Sequence, residues 1–96
     1  MRNCKFSKQA DKDIENIHTY TYINFGQKQA QIYSTNLFNK IQSIVADEIR
    51  GRKADFIKQG IKKLEVGSHI ILYKEQSNSI LIVRILHKSM DARRHI

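Results

Sequence analysis

The groups best equipped for chemistry lie near the end of the chain, in Arg84-Ile85-Leu86-His87-Lys88-Ser89-Met90-Asp91-Ala92-Arg93-Arg94-His95. An arginine set in an apolar run presents a guanidinium fork suited to a carboxylate or a phosphate. A histidine that titrates near neutral pH can serve as a general base or acid. The cluster Lys88, Arg93, Arg94 and His95 attracts phosphate or an acidic protein surface, and Met90 and Ile96 add apolar grip, which favours a protein partner. Each reading has a structural competitor. Arg84 lies between Val83 and Ile85, where an unpaired charge is costly, so a structural fork onto a carboxylate or carbonyls is preferred. His87 falls on the strand face opposite Arg84, because side chains alternate, and a local hydrogen bond is preferred there over catalysis. The basic cluster is balanced between a binding surface and a solvated tail.

Other chemistry finds little support. His18 and His69 have no ligand partners at suitable spacing, and Cys4 is the only cysteine, so no metal site, disulfide or cofactor is expected. Cys4 is read as a small apolar residue buried in a strand. There is no Gly-rich phosphate loop and no Ser-His-Asp set in a suitable context. Tyr20, Tyr22 and Tyr33 fall on helices, where core packing is preferred over base stacking.

These groups need a scaffold, and the hydrophobic pattern supplies one. Asn3 to Phe6 reads as a short strand, with Cys4 and Phe6 on one face. Ser7 is placed to cap a helix, with Asp11 and Asp13 near its positive end. Ala10, Ile14, Ile17 and Thr21 share one helical face, which Tyr20 and Ile23 widen. Gly26 is a natural stop. Ala30, Tyr33, Leu37, Ile41 and Ile44 form the stripe of a second helix, flanked by Phe38 and Val45 and expected to fade near Arg50-Gly51. The short connection makes the pair an antiparallel hairpin.

Residues 51–60 are basic and irregular, with Phe56 and Ile57 expected to tuck onto the core. After Gly60 the period becomes two. Leu64 and Val66 precede a Gly67-Ser68 turn, Ile70 to Tyr73 form the next strand, and Gln76 to Ser79 turn the chain again. Ile80 to Leu86 reads as a strand buried on both faces. The tail from Asp91 to Ile96 is expected to be a short helical turn or loose. The order is β-α-α-β-β-β, an α+β domain spanning 1–96 in which a helical hairpin covers one face of a small, mainly antiparallel sheet.

The chain has 96 residues, room for a single core, and 17 basic against nine acidic residues give a net charge of +8. That charge makes an acidic partner plausible, either nucleic acid or an acidic protein segment. No apolar run approaches a membrane span, so no membrane partner is expected. No secretory signal is seen at the start, and the expected location is the cytoplasm.

Several segments, in order, resemble the ParE branch of the RelE/ParE toxins: Ser7 to Ile14, the Asn24-Phe25-Gly26 corner, Ala30 with Tyr33, Gly60 to Leu64, Val66 to Tyr73, and above all Arg84 to Asp91. The segment Ala46 to Lys53 departs from relatives that carry proline and glycine there. The resemblance implies a toxin of a type II toxin–antitoxin module. Its target would be DNA gyrase, inhibited by binding rather than by catalysis, and a ParD-like antitoxin would neutralise it in a hetero-oligomer. Target-binding candidates are Arg84, His87, Lys88, Met90, Arg93, Arg94 and His95. Antitoxin-binding candidates are Ile17, Tyr20, Tyr33 and Leu37. Direct nucleic-acid contact is left open. The alternative is a ribosome-dependent mRNA endonuclease of the RelE type, for which His87, His95 and Arg93 would have to serve. No tyrosine follows Tyr73, and together with the His87 to Asp91 motif this favours the binding toxin.

Overall fold

The computed structural model describes residues 2–96. Strand β1 (Asn3–Phe6) leads into helices α1 (Lys8–Phe25) and α2 (Gln27–Val45). Strands β2 (Arg52–Lys53), β3 (Lys62–Val66), β4 (His69–Gln76) and β5 (Ser79–His87) follow, and a 3-10 turn closes the chain at Ala92–Arg94. The sheet order is β1-β5-β4-β3-β2, antiparallel except where β1 runs parallel to β5. The α+β fold expected from the sequence is therefore present, with one added two-residue strand where an irregular segment was expected.

Local chemistry sets the helix boundaries. The Ser7 hydroxyl accepts the Ala10 N–H at 3.0 Å and donates to the Val83 carbonyl at 2.6 Å, so one side chain both caps α1 and ties it to β5. Gly26 ends α1 and starts α2. The second helix stops at Val45, short of Arg50-Gly51. Asp47 takes a left-handed conformation (φ 60°), which Asp tolerates better than most residues. The Arg2 guanidinium also bonds the carbonyls of Ile44 and Val45. A cation on these terminal carbonyls complements the negative helix end.

The main core lies between the hairpin and one sheet face. Leu37, Ile41 and Ile44 of α2 and Ile17 of α1 meet Ile71, Tyr73, Ile80, Ile82 and Ile85. A smaller cluster occupies the other face, where Ala54, Ile61, Leu72 and Leu86 are joined by Ile57, Val83, Ala92 and Ile96. Ile96 thus packs inward rather than lending grip to an outer surface. Phe56 does not tuck in either: it is 65% exposed, with the Lys63 ammonium 5.4 Å from its ring centre. Cys4 is only half-buried.

Strand β5 is not regular. Tyr73 pairs with Ile82 and Leu72 with Arg84, leaving Val83 as an extra residue. Such a bulge bends the strand and re-aims the side chains after it. Because of it, Ile80, Ile82 and Ile85 all join the main core, although strict alternation would turn Ile85 away.

Candidate functional site

Beyond Phe6 the outer edge of β5 has no strand partner, since β1 pairs only as far as Ile82. Helix α1 closes that edge with side chains. Ser7 takes the Val83 carbonyl, and the Asp13 carboxylate accepts the Ile85 N–H at 2.9 Å. Asp13 also receives the Arg84 fork, through Nε at 2.8 Å and Nη2 at 2.9 Å. The third guanidinium nitrogen of Arg84 donates to the His95 carbonyl at 2.6 Å. The pair is largely covered, with 16% and 11% of the two side chains exposed. The bond to Asp13 raises the Arg84 pKa further and outweighs the opposing effect of burial. All three Arg84 guanidinium nitrogens thus make a bond within the fold, between α1 and the C-terminal turn.

Above this pair opens a groove of about 810 Å³ between α1, the start of α2 and the ends of β4 and β5. Its walls include Ile17, Tyr20, Thr21 and Phe25 of α1, Tyr33 of α2, His69, His87 and Met90. Tyr20 is 64% and Phe25 66% exposed, and Tyr22 and Ile23 are exposed beside them. Tyr20, Tyr22 and Ile23 are therefore not core, contrary to what their helical spacing predicts. These side chains on the last turns of α1 are left exposed. The Ile17, Thr21 and Phe25 stripe continues into the groove, so Phe25 was findable from its four-residue step.

Three aromatic rings line one wall. Tyr33 and His69 meet edge-on at 5.4 Å, as do His69 and His87. The Tyr33 hydroxyl donates to the Val66 carbonyl at 3.1 Å, accepts the Ser68 N–H at 3.0 Å and lies 2.6 Å from His69 Nδ1. One phenolic proton cannot serve two acceptors, so these bonds are all satisfied when His69 Nδ1 carries its hydrogen. Burial lowers the His69 pKa, with the neighbouring His87 adding to the effect and Asp13 opposing it. In the neutral ring Nε2 is then a free acceptor. His87 is the converse: its Nδ1 accepts the Ser89 N–H at 3.1 Å and lies 2.7 Å from the Ser89 hydroxyl. That leaves neutral His87 with a donor at Nε2, not a base.

The sequence candidates distribute as follows. Arg84, His87 and Met90 stand in the same groove as Ile17, Tyr20 and Tyr33, so residues assigned to two separate partners share one surface. Leu37 does not join them. It is 1% exposed beneath α2, and its contacts are with the core, which removes it from the antitoxin-binding set. Ile17 is also buried and offers only its edge to the groove. Lys88 lies in a different depression and pairs with Glu65 at 3.3 Å. Arg93 and Arg94 are exposed near Asp91, at 3.9 and 3.7 Å. His95 contributes its carbonyl to Arg84. Asp13, Phe25 and His69 were not among the candidates. The type of Asp13 fits a helix N-terminus as well as an arginine partner, and nothing local distinguishes the two.

No group of three or more His, Cys, Asp or Glu side chains suited to a metal ion occurs among the described residues. Among the described residues no helix is long and apolar enough to cross a membrane.

A family model described as the ParE toxin of type II toxin–antitoxin system, parDE, matches residues 4–92. Toxin ParE1 of Caulobacter vibrioides is 30% identical over 96 residues, covering all of this chain and 99% of that protein. Toxin ParE1 of Mycobacterium tuberculosis is 34% identical over 91 residues, covering 94% of this chain and 93% of that protein. Among solved structures, a chain of the chromosomal ParDE TA system from P. aeruginosa superposes with a TM-score of 0.76 at 20% identity, covering 91% of this chain and 96% of that one. A YafQ mutant from E. coli superposes at 0.58 with 12% identity, covering 93% and 96%. These two show the shared fold. With the family model spanning nearly the whole chain and full-length relatives at 30% identity or more, the chain belongs to the ParE toxins of type II toxin–antitoxin systems.

Proposed function

We propose that this toxin acts by binding DNA gyrase, and that a ParD-like antitoxin neutralises it by filling the groove between α1 and the ends of β4 and β5. One observation carries the reading: Arg84, His87 and Met90 share that groove with Tyr20, Tyr33 and the exposed Phe25. An occupant anchored on the aromatic side chains covers the polar ones, so neutralisation becomes a matter of occlusion. Apolar anchors in a groove supply most of the affinity, and the +8 charge speeds the encounter with an acidic segment.

Binding is favoured over RNA cleavage by the state of the candidate catalytic groups. RNA cleavage by this route needs a base for the ribose hydroxyl, an acid for the leaving oxygen and cations at the phosphate, all held in one geometry. Of the groups such cleavage would call on, His87 has its Nδ1 occupied by Ser89, Arg93 stands beside Asp91, and His95 gives its carbonyl to Arg84. The test is a supercoiling assay with purified gyrase, relaxed plasmid and increasing toxin, repeated after adding a ParD-type antitoxin. Loss of supercoiling that the antitoxin restores is the expected result. Unimpaired supercoiling together with codon-specific cuts in ribosome-bound mRNA contradicts the proposal.

A further inference from the structure

The hairpin covers one face of the sheet, and the opposite face carries an unneutralised row of charge. Strand register defines that row. Lys63 is paired with Leu72 and Arg52 with Lys63. Lys74, two residues beyond Leu72, is paired with Leu81, and Lys5 is paired with Leu81 across the parallel strands. Paired residues and residues two apart share a face. Leu72 belongs to the cluster on the side away from the helices. Arg52, Lys63, Lys74 and Lys5 therefore stand on that face, around the small cluster that covers Leu72, one from each of four strands.

None of the four makes an ion pair among the described residues. In contrast, Arg2 and Lys62 are paired with Glu75, Lys88 with Glu65, and Arg84 with Asp13. The loop that borders the row adds Lys58, also unpaired, and the exposed Phe56 beside Lys63. At about 4.8 Å per strand, five strands span roughly 20 Å. Like charges fixed on a rigid sheet repel each other, and a polyanion removes that repulsion.

We infer that this basic face binds the phosphate backbone of duplex DNA without sequence preference, at a site separate from the groove. Duplex DNA carries one charge per roughly 1.7 Å of axis, so about 20 Å offers ample phosphate for four cations. The row consists of donors only, which suits phosphate oxygens and gives no means of reading base edges. A single strand needs aromatic platforms, and here one ring stands alone with an ammonium beside it.

The test is fluorescence anisotropy of a short labelled DNA duplex with the intact chain at several salt concentrations. Four neutralised phosphates predict a slope of log K against log salt of about −3 to −4. The double variant Lys63→Gln/Lys74→Gln should lose at least about tenfold in affinity and flatten the slope by about 2 units. Lys28→Gln/Lys40→Gln, which removes two unpaired lysines from the helices, should leave both unchanged, and circular dichroism checks that each variant is folded. Absence of salt-dependent binding, equal losses in the two double variants, or tighter binding to RNA or to an acidic peptide than to the DNA duplex overturns the inference.

Discussion

Asp13 and Arg84 stand 71 positions apart and meet through two parallel N–H···O bonds of 2.8 and 2.9 Å. The same carboxylate takes the Ile85 N–H, and the same guanidinium takes the His95 carbonyl. One ion pair thereby fastens α1 to the free edge of β5 and holds the C-terminal turn beside it.

Removing either partner leaves the other largely covered and short of bonds. Asp13→Ala and Arg84→Ala should each lower stability by about 2–3 kcal/mol. Urea unfolding of the single and double variants should give a coupling of at least about 1 kcal/mol, and strictly additive losses would contradict the pairing.

Tyr20, Phe25 and Leu37 separate surface from core. Leu37→Ala should cost about 2–5 kcal/mol, because it opens a cavity under α2. Tyr20→Ser and Phe25→Ser should change stability by less than about 0.5 kcal/mol, yet weaken antitoxin binding at least about tenfold. Calorimetric titration with the antitoxin and thermal unfolding together check both halves.

How much of this was legible in the sequence differs by feature. The strands and both helices follow from periodicity, and Ser7 and Gly26 announce the helix boundaries. The Val83 bulge does not show, because a strand apolar at nearly every position from Ile80 to Leu86 looks the same in either register. Parallel pairing of β1 with β5 is a long-range event without a local mark. The two residues of β2 are too few to carry a pattern. Tyr20, Tyr22 and Ile23 have the spacing of core residues, yet the fold leaves them exposed. Arg84 declares its need for a partner, but Asp13 looks like any acid toward the start of a helix. The groove exists because the chain brings residues 17–33 against residues 68–90, a juxtaposition that no local pattern records.

Gly67 and Tyr33 are a second linked pair. Gly67 has φ 55°, and a Cβ there would lie 2.7 Å from the Tyr33 ring and hydroxyl. Gly67→Ala should cost about 2 kcal/mol or more, combining the strained backbone with the clash. In a Tyr33→Ala background only the backbone part remains, so the two losses should fall short of additive. Full additivity in urea unfolding would contradict the close approach.

His69 makes stability depend on pH in a stated direction. Burial places its folded-state pKa below the ordinary 6.5, so between those values the unfolded chain binds the extra proton. Its contribution is complete above the ordinary value and is lost as pH falls through the folded one. The urea midpoint should therefore fall as pH is lowered from above the ordinary histidine value to below it, and His69→Gln should flatten the drop. An equal drop in the variant would assign the effect elsewhere.

The central claim is that the toxin works by binding gyrase through groups that perform no chemistry. The most direct measurement is gyrase supercoiling in the presence of His87→Ala, run beside a translation extract scored for mRNA cuts. The binding account predicts inhibition within about threefold of the unmodified chain and intact mRNA in both cases, since His87 makes only one contact among several. Abolished toxicity in His87→Ala, with mRNA cuts made by the unmodified chain and absent in the variant, would contradict it.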